Sequence, residues 1–299
     1  MTTYRQRFGL RHDLLPRAAC GKTCFDGDDA FVRLRRIFSW LAAEPGLGLL
    51  TGEPGAGKTT AVRHLCSELP RPEHRIVYLC DTRLTPAAVY RNLAAALGLD
   101  PPLRRDALWR QLKAALVDLV ERESIVPVVV LDEAQHLRDD FFHDLAGFLN
   151  HAFDRADLLT LWLVGLPSLR ARLELRVHAA LRTRIVAPTT LGPRSKGELL
   201  AMIDHSLKSA GARPTLLADG VREIVYRLSR GLPRLASHIL RAALIIADER
   251  EQTCVDEQAV LDAAVHLELP VSPPPAHAAS RPAKTRSQRG TKVRSQREP

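Results

Sequence analysis

Cysteine, methionine and aromatic side chains are scarce in this chain, with 5 Cys, 2 Met and an aromatic share of 5%. The cysteines are odd in number and the first residues are polar and charged, which argues against a disulfide-rich secreted protein. Cys20 and Cys24 lack a second Cys or His pair at a spacing that binds zinc. No apolar run approaches the roughly 18 residues that span a membrane. We therefore expect a cytoplasmic protein with reduced thiols and no membrane partner.

Basic residues outnumber acidic residues, and the net charge is +9 at pH 7. Much of this excess lies after residue 270, where Lys and Arg alternate with Ser and Gln and apolar residues are few. Such a composition predicts disorder. A cationic tail can neutralise phosphates without recognising a sequence, which makes double-stranded DNA a candidate partner. An acidic protein surface, or solvent alone, is the alternative.

Hydrophobic patterns divide the chain into segments. Up to about residue 192, short apolar runs alternate with helical patterns, which predicts a parallel sheet covered by helices on both faces. Later helical patterns follow one another without a strand between them. The predicted domains are an irregular leader (1–27), an α/β domain (28–192), a small helical domain (193–269) and a disordered tail (270–299). Strands are expected at residues 47–50, 75–80, 126–131, 158–164 and 184–187, and longer helices include residues 103–123 and 169–181.

One glycine-rich stretch matches the phosphate-binding pattern G-x-x-x-x-G-K-[ST]. An apolar run precedes it and a helical pattern follows, which is the strand–loop–helix context that the pattern requires. The glycines let successive backbone N–H groups turn towards phosphate oxygens, and the start of the helix adds positive potential. Lys58 is expected to reach the outer phosphates, and the Thr59 hydroxyl to ligate Mg²⁺. The predicted nucleotide-binding set is Gly52, Glu53, Pro54, Gly55, Ala56, Gly57, Lys58, Thr59 and Thr60.

The alternative for this stretch is a chance match in a glycine-rich turn. A second Gly-Lys-Thr, at residues 21–23, has no glycine five positions earlier and no apolar strand before it. We reject it as a phosphate loop, and we expect ATP and Mg²⁺ as cofactors of the first stretch alone.

A carboxylate pair follows the apolar run at residues 128–131. Ligand sites of parallel sheets lie at the carboxyl ends of the strands, so Asp132 is expected beside the phosphate loop, holding Mg²⁺. Glu133 is expected to orient and deprotonate the attacking water. A solvated acidic strand end is the alternative.

Three arginines are candidates for stabilising the transferred phosphate. Phosphoryl transfer is helped by a positive charge on the γ-phosphate, often supplied by a neighbouring subunit. Arg182 and Arg184 flank the turn into the last predicted strand, and Arg234 opens a helix of the small domain. A solvated surface arginine is the alternative for each, whereas His136 is expected to be structural.

With these residues in place, the sequence resembles the AAA+ ATPases over residues 4 to about 268. Within them it is similar to the TniB/TnsC-type transposition helper ATPases and to the related ExeA-type ATPases. The resemblance rests on six stretches in order along the chain: Tyr4 with Phe8-Gly9-Leu10, the phosphate loop through Thr60, Leu131 to Leu137, Leu163 to Leu169, Leu181 to Ile185, and Gly231 to Arg234.

The resemblance implies a five-stranded parallel sheet followed by a helical lid, with nucleotide bound between them. It implies that Arg184, or alternatively Arg182, bridges subunits, and that Arg234 is the lid arginine that senses nucleotide. It implies self-assembly into a ring or filament on double-stranded DNA and a DDE-type transposase as partner. One departure is that the end of the strand at 158–164 offers no obvious polar residue to position water. Leu166 stands where ExeA-type relatives often have glutamine, and Thr160 is the nearest polar side chain.

The same residues leave two other functions as alternatives to transposition. One is an ExeA-type ATPase that energises assembly of a secretion or pilus system. The other is a nucleotide-gated scaffold switch with little turnover.

Overall fold

The computed structural model of the protein describes residues 3–19, 21–80, 85–150 and 157–270. Within these residues, five strands lie in the order β2-β3-β4-β1-β5, and every pair is parallel. The strands are β1 (Leu47–Gly52), β2 (His74–Leu79), β3 (Val126–Leu131), β4 (Thr160–Gly165) and β5 (Ile185–Leu191). The tail after residue 270 lies outside the described residues.

Helices cover the sheet and then form the second part of the chain. Those of the first part are α1 (Tyr4–Phe8), α2 (Asp29–Ala43), α3 (Lys58–Glu68), α4 (Pro86–Ala96), α5 (Arg105–Val117), α6 (Asp139–Phe148), α7 (Pro167–Leu173) and α8 (Ala179–Arg182). Those of the lid are α9 (Lys196–Ala210), α10 (Val221–Ser229), α11 (Pro233–Glu249) and α12 (Glu257–His266). Of the helices described, none is long and apolar enough to cross a membrane.

The central strands are apolar because both faces of the sheet are packed against helices. Val128 and Val130 of β3 point into a core with α2 and α3, whereas Val129 belongs to the core on the opposite face. All three are at most 1% exposed. A continuous β-branched run is the pattern expected of a strand buried on both faces. The prediction of a five-stranded parallel sheet flanked by helices and followed by a helical part is confirmed.

Because every strand is parallel, the carboxyl ends of β1, β3 and β4 meet at one edge of the sheet. The phosphate loop follows β1, Asp132 follows β3, and Leu166 follows β4. The strand order thus brings together three segments that are distant in sequence.

The leader, predicted to be irregular, has regular structure in part. It contains α1 and a 3₁₀ turn, Gly21–Thr23. Phe8 is 3% exposed and lies in the apolar core of the lid helices, together with Leu10, Leu14 and Leu15. The Leu15 N–H donates to Ser206 Oγ of α9 at 2.7 Å. Sequence periodicity missed this packing, because the segment is too short to show a helical repeat and its apolar residues pair with helices about 200 positions away.

Other predicted boundaries also differ, among them the helix at 103–123, which is α5 followed by a π-helical turn, Asp118–Arg122. Strand β5 continues through Pro188 to Leu191, since it lies at an edge of the sheet, where a missing N–H costs no ladder bond on the open side. The predicted helix at 169–181 is divided into α7, a 3₁₀ turn (Arg176–His178) and α8. That division turns His178 back towards Asp139 of α6, with 3.0 Å between His178 Nε2 and Asp139 Oδ1.

The buried position of Phe8 predicts that the leader stabilises the lid. Phe8→Ala should lower the free energy of unfolding by about 3 kcal/mol, because it removes a buried ring and leaves a cavity. Leu103→Ala is the control, since Leu103 is 87% exposed and its loss should cost about 0.5 kcal/mol or less. Urea denaturation followed by circular dichroism compares the two variants. Equal midpoints would show that the leader does not belong to the lid core.

Candidate nucleotide-binding site

The phosphate loop connects the end of β1 to the start of α3. Gly55 and Gly57 have φ angles of +85° and +95°, which side chains rarely adopt, so these two positions need glycine. Gly57 is also the residue that precedes the first turn of α3. The loop therefore presents backbone N–H groups at the positive end of a helix, which is an anion-binding arrangement.

Lys58 is folded over this loop. Its ammonium donates to the carbonyl oxygens of Gly52 at 2.8 Å and Glu53 at 3.1 Å. The residue is 7% exposed, and burial lowers the pKa of its side chain. An ammonium has three N–H donors, so two loop contacts leave capacity for a phosphate oxygen.

Asp132 is 2% exposed at the end of β3 and accepts three hydrogen bonds. The Thr59 hydroxyl donates to its Oδ2 at 2.7 Å, and the Tyr78 hydroxyl donates to the same oxygen at 2.8 Å. The Glu133 N–H donates to Oδ1 at 2.8 Å. Burial, followed by the bond to Asp132, raises the pKa of Tyr78, so this hydroxyl remains a donor. The sequence missed Tyr78, whose only signal is its place one residue before the end of β2.

The residues present fit Mg²⁺. Thr59 and Asp132 bring a hydroxyl and a carboxylate oxygen within 2.7 Å of each other, and both are hard oxygen donors. Among the described residues, no group of three or more His, Cys, Asp or Glu side chains could hold a metal by itself. Mg²⁺ in nucleotide sites is usually held by one or two protein oxygens together with phosphates and water.

Glu133 has an uncommon backbone conformation for a residue with a side chain, with φ +54°. Such conformations are found disproportionately at functional sites. Gln135 Nε2 donates to Glu133 Oε2 at 2.6 Å. Glu133, Gln135 and His136 all line the same cavity as the phosphate loop. The chemistry available at Glu133 is that of a carboxylate next to a phosphate-binding loop.

The lid meets the phosphate loop directly. The Arg234 N–H, at the start of α11, donates to the Gly55 carbonyl at 3.2 Å. A Cβ built on Gly55 would lie 3.0 Å from Arg234 Cβ, so the close approach also depends on this glycine. Arg194 at the start of the lid pairs with Asp28, with Nε and Oδ2 3.1 Å apart, and both are buried. The sequence missed this pair, because nothing in it connects residues so far apart.

A cavity of about 500 Å³ lies between the α/β part and the lid. Its lining includes residues 54–61 and 63, Glu133 and Arg234, and its other end is formed by the leader residues Arg17, Thr23, Cys24 and Phe25. Its volume falls in the range of small-molecule sites, roughly 300–1,000 Å³. The leader is therefore a wall of the cavity as well as part of the lid core.

Arg182 and Arg184 are placed elsewhere. Neither is among the described residues that line the cavity. Arg182, at the end of α8, donates to the Glu174 carbonyl at 3.4 Å, and the Arg184 N–H donates to the Leu181 carbonyl at 3.0 Å. Thr160 is buried at the opposite end of β4, where its hydroxyl donates to the Leu41 carbonyl. Thr160 therefore cannot position water beside Glu133.

The parallel sheet, the loop after β1 and the acidic pair after β3 define a P-loop nucleotide-binding domain. The family described as AAA domain matches residues 42–173. The chain therefore has the P-loop AAA fold, with a helical part after the sheet.

Among curated proteins, the chain is similar to general secretion pathway protein A of Aeromonas hydrophila. The two are 35% identical over 256 residues, which is 83% of this chain and 45% of that protein. The chain thus spans about half the length of this relative.

Among solved structures, Aeropyrum pernix ORC1 in complex with DNA gives a TM-score of 0.63 at 22% identity and covers 90% of this chain and 71% of its own. The Thermotoga maritima RuvB Holliday junction branch migration motor gives a TM-score of 0.57 at 19% identity, covering 81% of this chain and 70% of its own. These likenesses show the fold alone.

Loss of the Lys58 ammonium should weaken nucleotide binding. We expect Lys58→Ala to bind ATP about 30-fold more weakly, since a hydrogen bond to a charged group contributes about 2 kcal/mol. Lys22→Ala is the control, because Lys22 stands in the other Gly-Lys-Thr and is not among the residues that line the cavity. Isothermal titration with ATP and Mg²⁺ measures both. Equal affinities for the two variants would contradict the assignment.

Proposed function

We propose that this chain hydrolyses ATP to ADP and phosphate in an Mg²⁺-dependent reaction and that it works as an oligomer. The observation that carries the proposal is the 2.7 Å contact between Thr59 Oγ1 and Asp132 Oδ2. This contact joins the phosphate loop to the acidic end of β3, and Lys58 and Glu133 line the same cavity. A carboxylate next to the Mg²⁺-binding pair has no evident use in nucleotide binding alone, whereas hydrolysis requires a base.

Each residue has one role in this mechanism. Backbone N–H groups of the phosphate loop and Lys58 bind the β- and γ-phosphates. Thr59 and Asp132 would hold Mg²⁺, and the bound ion would supply positive charge to the phosphate oxygens. Glu133 orients a water molecule and accepts its proton.

The arginines complete the mechanism. Arg234 at the start of α11 acts on the nucleotide bound by its own chain, supported by the contact between its backbone and Gly55. Arg184, with Arg182 as the alternative, acts on the site of a neighbouring copy. Their place outside the cavity of their own chain supports a role between subunits.

For the cellular role, we propose that ATP-bound copies assemble on double-stranded DNA as a ring or filament and assist a DDE-type transposase. The net charge of +9 and its concentration after residue 270 support binding to an anionic polymer. The sequence resemblance to transposition helper ATPases supports a transposase as the partner. The likeness to DNA-bound ORC1 supports a shared fold and does not bear on the partner.

A second candidate is an ATPase that energises assembly of a secretion machine. The 35% identity to general secretion pathway protein A favours it. That match covers 45% of the relative, so it supports a shared ATPase part more strongly than a shared role. A scaffold switch with little turnover is the third candidate, and the presence of Glu133 argues against it.

Glu133→Gln separates binding from turnover. The amide keeps the shape of the side chain but cannot accept the proton, so we expect kcat to fall at least about 100-fold while ATP affinity changes little. Glu121→Gln, on an exposed turn outside the site, is the matched control and should behave as wild type. Phosphate release and ATP titration measure the two properties. A normal rate in Glu133→Gln would remove this residue from the role of base.

Binding to long duplex DNA distinguishes the cellular roles. At near-physiological salt, sedimentation with ATP, ADP or no nucleotide should show assembly on DNA with ATP, because the proposed helper binds DNA in its ATP state. Glu133→Gln should make that assembly persist. DNA binding that is absent, or that is the same in all three conditions, would reject the transposition role and favour a protein partner of a secretion machine.

A further inference from the structure

The side chain of Gln135 joins the end of β4 to the carboxylate of Glu133. Its Oε1 accepts from the Leu166 N–H at 3.1 Å, and its Nε2 donates to Glu133 Oε2 at 2.6 Å. Because a backbone N–H can only donate, the amide oxygen has to face Leu166, and the nitrogen then faces Glu133. Gly165 leaves the space for this, since a Cβ there would lie 2.6 Å from Gln135 Oε1. Gln135 therefore supplies the polar group that the end of β4 lacks.

Polar contacts continue from the backbone of Gln135 to α7 and α6. The Gln135 carbonyl accepts from the Arg172 guanidinium at 3.1 Å, and Arg172 Nε donates to Asp139 Oδ1 at 2.7 Å. The Arg172 guanidinium carbon also lies 5.0 Å from the centre of the Phe142 ring. Arg172 lowers the pKa of Asp139, chiefly through the hydrogen bond, so this carboxylate is charged at neutral pH. A planar guanidinium held on three sides has little freedom to move alone.

The contacts end at the turn that carries the candidate bridging arginines. Asp139 Oδ1 also accepts from His178 Nε2 at 3.0 Å, and the His178 side chain is 1% exposed. His178 Nδ1 makes no hydrogen bond to the described residues, and the ring is held by the contact with Asp139 and by packing against Phe142, with 5.3 Å between the ring centres. His178 directly precedes α8, which ends at Arg182 and leads to Arg184.

We propose that Gln135 and Arg172 are positioning residues in a relay from Glu133 through Asp139 and His178 to the arginine turn, residues 179–184. The proposal rests on the proposed function, because the relay has an effect on turnover only where Glu133 is the base and the turn contacts a neighbouring copy. When that turn docks into a neighbour's site, the relay transmits its displacement to the Glu133 carboxylate of the same chain. Hydrolysis at one site thereby depends on engagement at the next.

This coupling follows from the way the contacts are shared. Asp139 Oδ1 accepts hydrogen bonds from both Arg172 and His178. The Gln135 carbonyl accepts from Arg172, and its side-chain amide donates to Glu133. A shift at one member lengthens a charge-assisted bond at the next unless that side chain moves with it. Residues that share one network give non-additive effects when mutated together, and that property is measurable.

The first test compares two arginines of the same helix. Arg172→Met removes the relay bonds and keeps the apolar stem. Arg170→Met is the matched control, since Arg170 is exposed and pairs with Glu174 one turn further along the chain. In assembled samples, Arg172→Met and Gln135→Leu should each lower kcat about 10- to 100-fold while the KM for ATP changes less than about twofold. Arg170→Met should match wild type. A wild-type kcat in Arg172→Met would overturn the relay while leaving the ATPase assignment intact.

The second test is a double-mutant cycle between Arg172→Met and Arg184→Ala. If the two residues act in one relay, the double variant should be little slower than the slower single variant. If the two reductions multiply, the residues act independently, and the coupling is refuted.

A third measurement does not depend on turnover. Without nucleotide, hydrogen exchange in peptides covering residues 176–184 should be faster in Gln135→Leu and in Arg172→Met than in wild type or Arg170→Met. If wild type hydrolyses no ATP, the proposed function fails, and exchange alone decides the relay. Unchanged exchange at the arginine turn in Gln135→Leu would then reject it.

Discussion

The hydrogen bond between Thr59 and Asp132 is the contact on which the rest of the site depends. It joins the first turn of α3 to the end of β3, although a strand, β4, separates β3 from β1 in the sheet. The contact forms only because β1 and β3 run parallel and end at the same edge. The sheet in turn keeps that register because Val128 to Leu131 and the neighbouring strand β4 are buried on both faces. The apolar core thus determines where two polar oxygens meet.

Much of this arrangement could be predicted from sequence, because its signals are local. The phosphate loop is a contiguous pattern, β3 is a contiguous apolar run, and the acidic pair follows it without a gap. The fold class and the nearness of Lys58, Thr59, Asp132 and Glu133 follow from these patterns and from the rule that parallel strands place their ligands at their carboxyl ends. The signals for the lid helices are equally local. They include a capping box at Ser195 and Glu198 and a proline in the first turn of α11.

The features that sequence missed depend on pairs of residues far apart in the chain. Asp28 and Arg194 form a buried ion pair, and neither is unusual by itself. Tyr78 becomes a partner of Asp132 only because β2 lies next to β3. The leader showed no periodicity, yet its apolar residues fill the lid core. Gln135 lies in the stretch Leu131 to Leu137 that contributes to the family resemblance, but its contact with Leu166 depends on the strand order.

The lid and the α/β part are joined by contacts that differ in how easily they can change. The buried pair of Asp28 and Arg194 is costly to break, since either charge alone would be left desolvated. The contact between Gly55 and Arg234 is a single backbone hydrogen bond beside the nucleotide cavity. A nucleotide in that cavity would therefore act on the weaker contact while the stronger one keeps the lid attached. On the other side of the site, Glu133 is tied through Gln135 to the end of β4 and towards the arginine turn. The site thus meets the lid through a single backbone hydrogen bond on one side and a network of side-chain hydrogen bonds on the other.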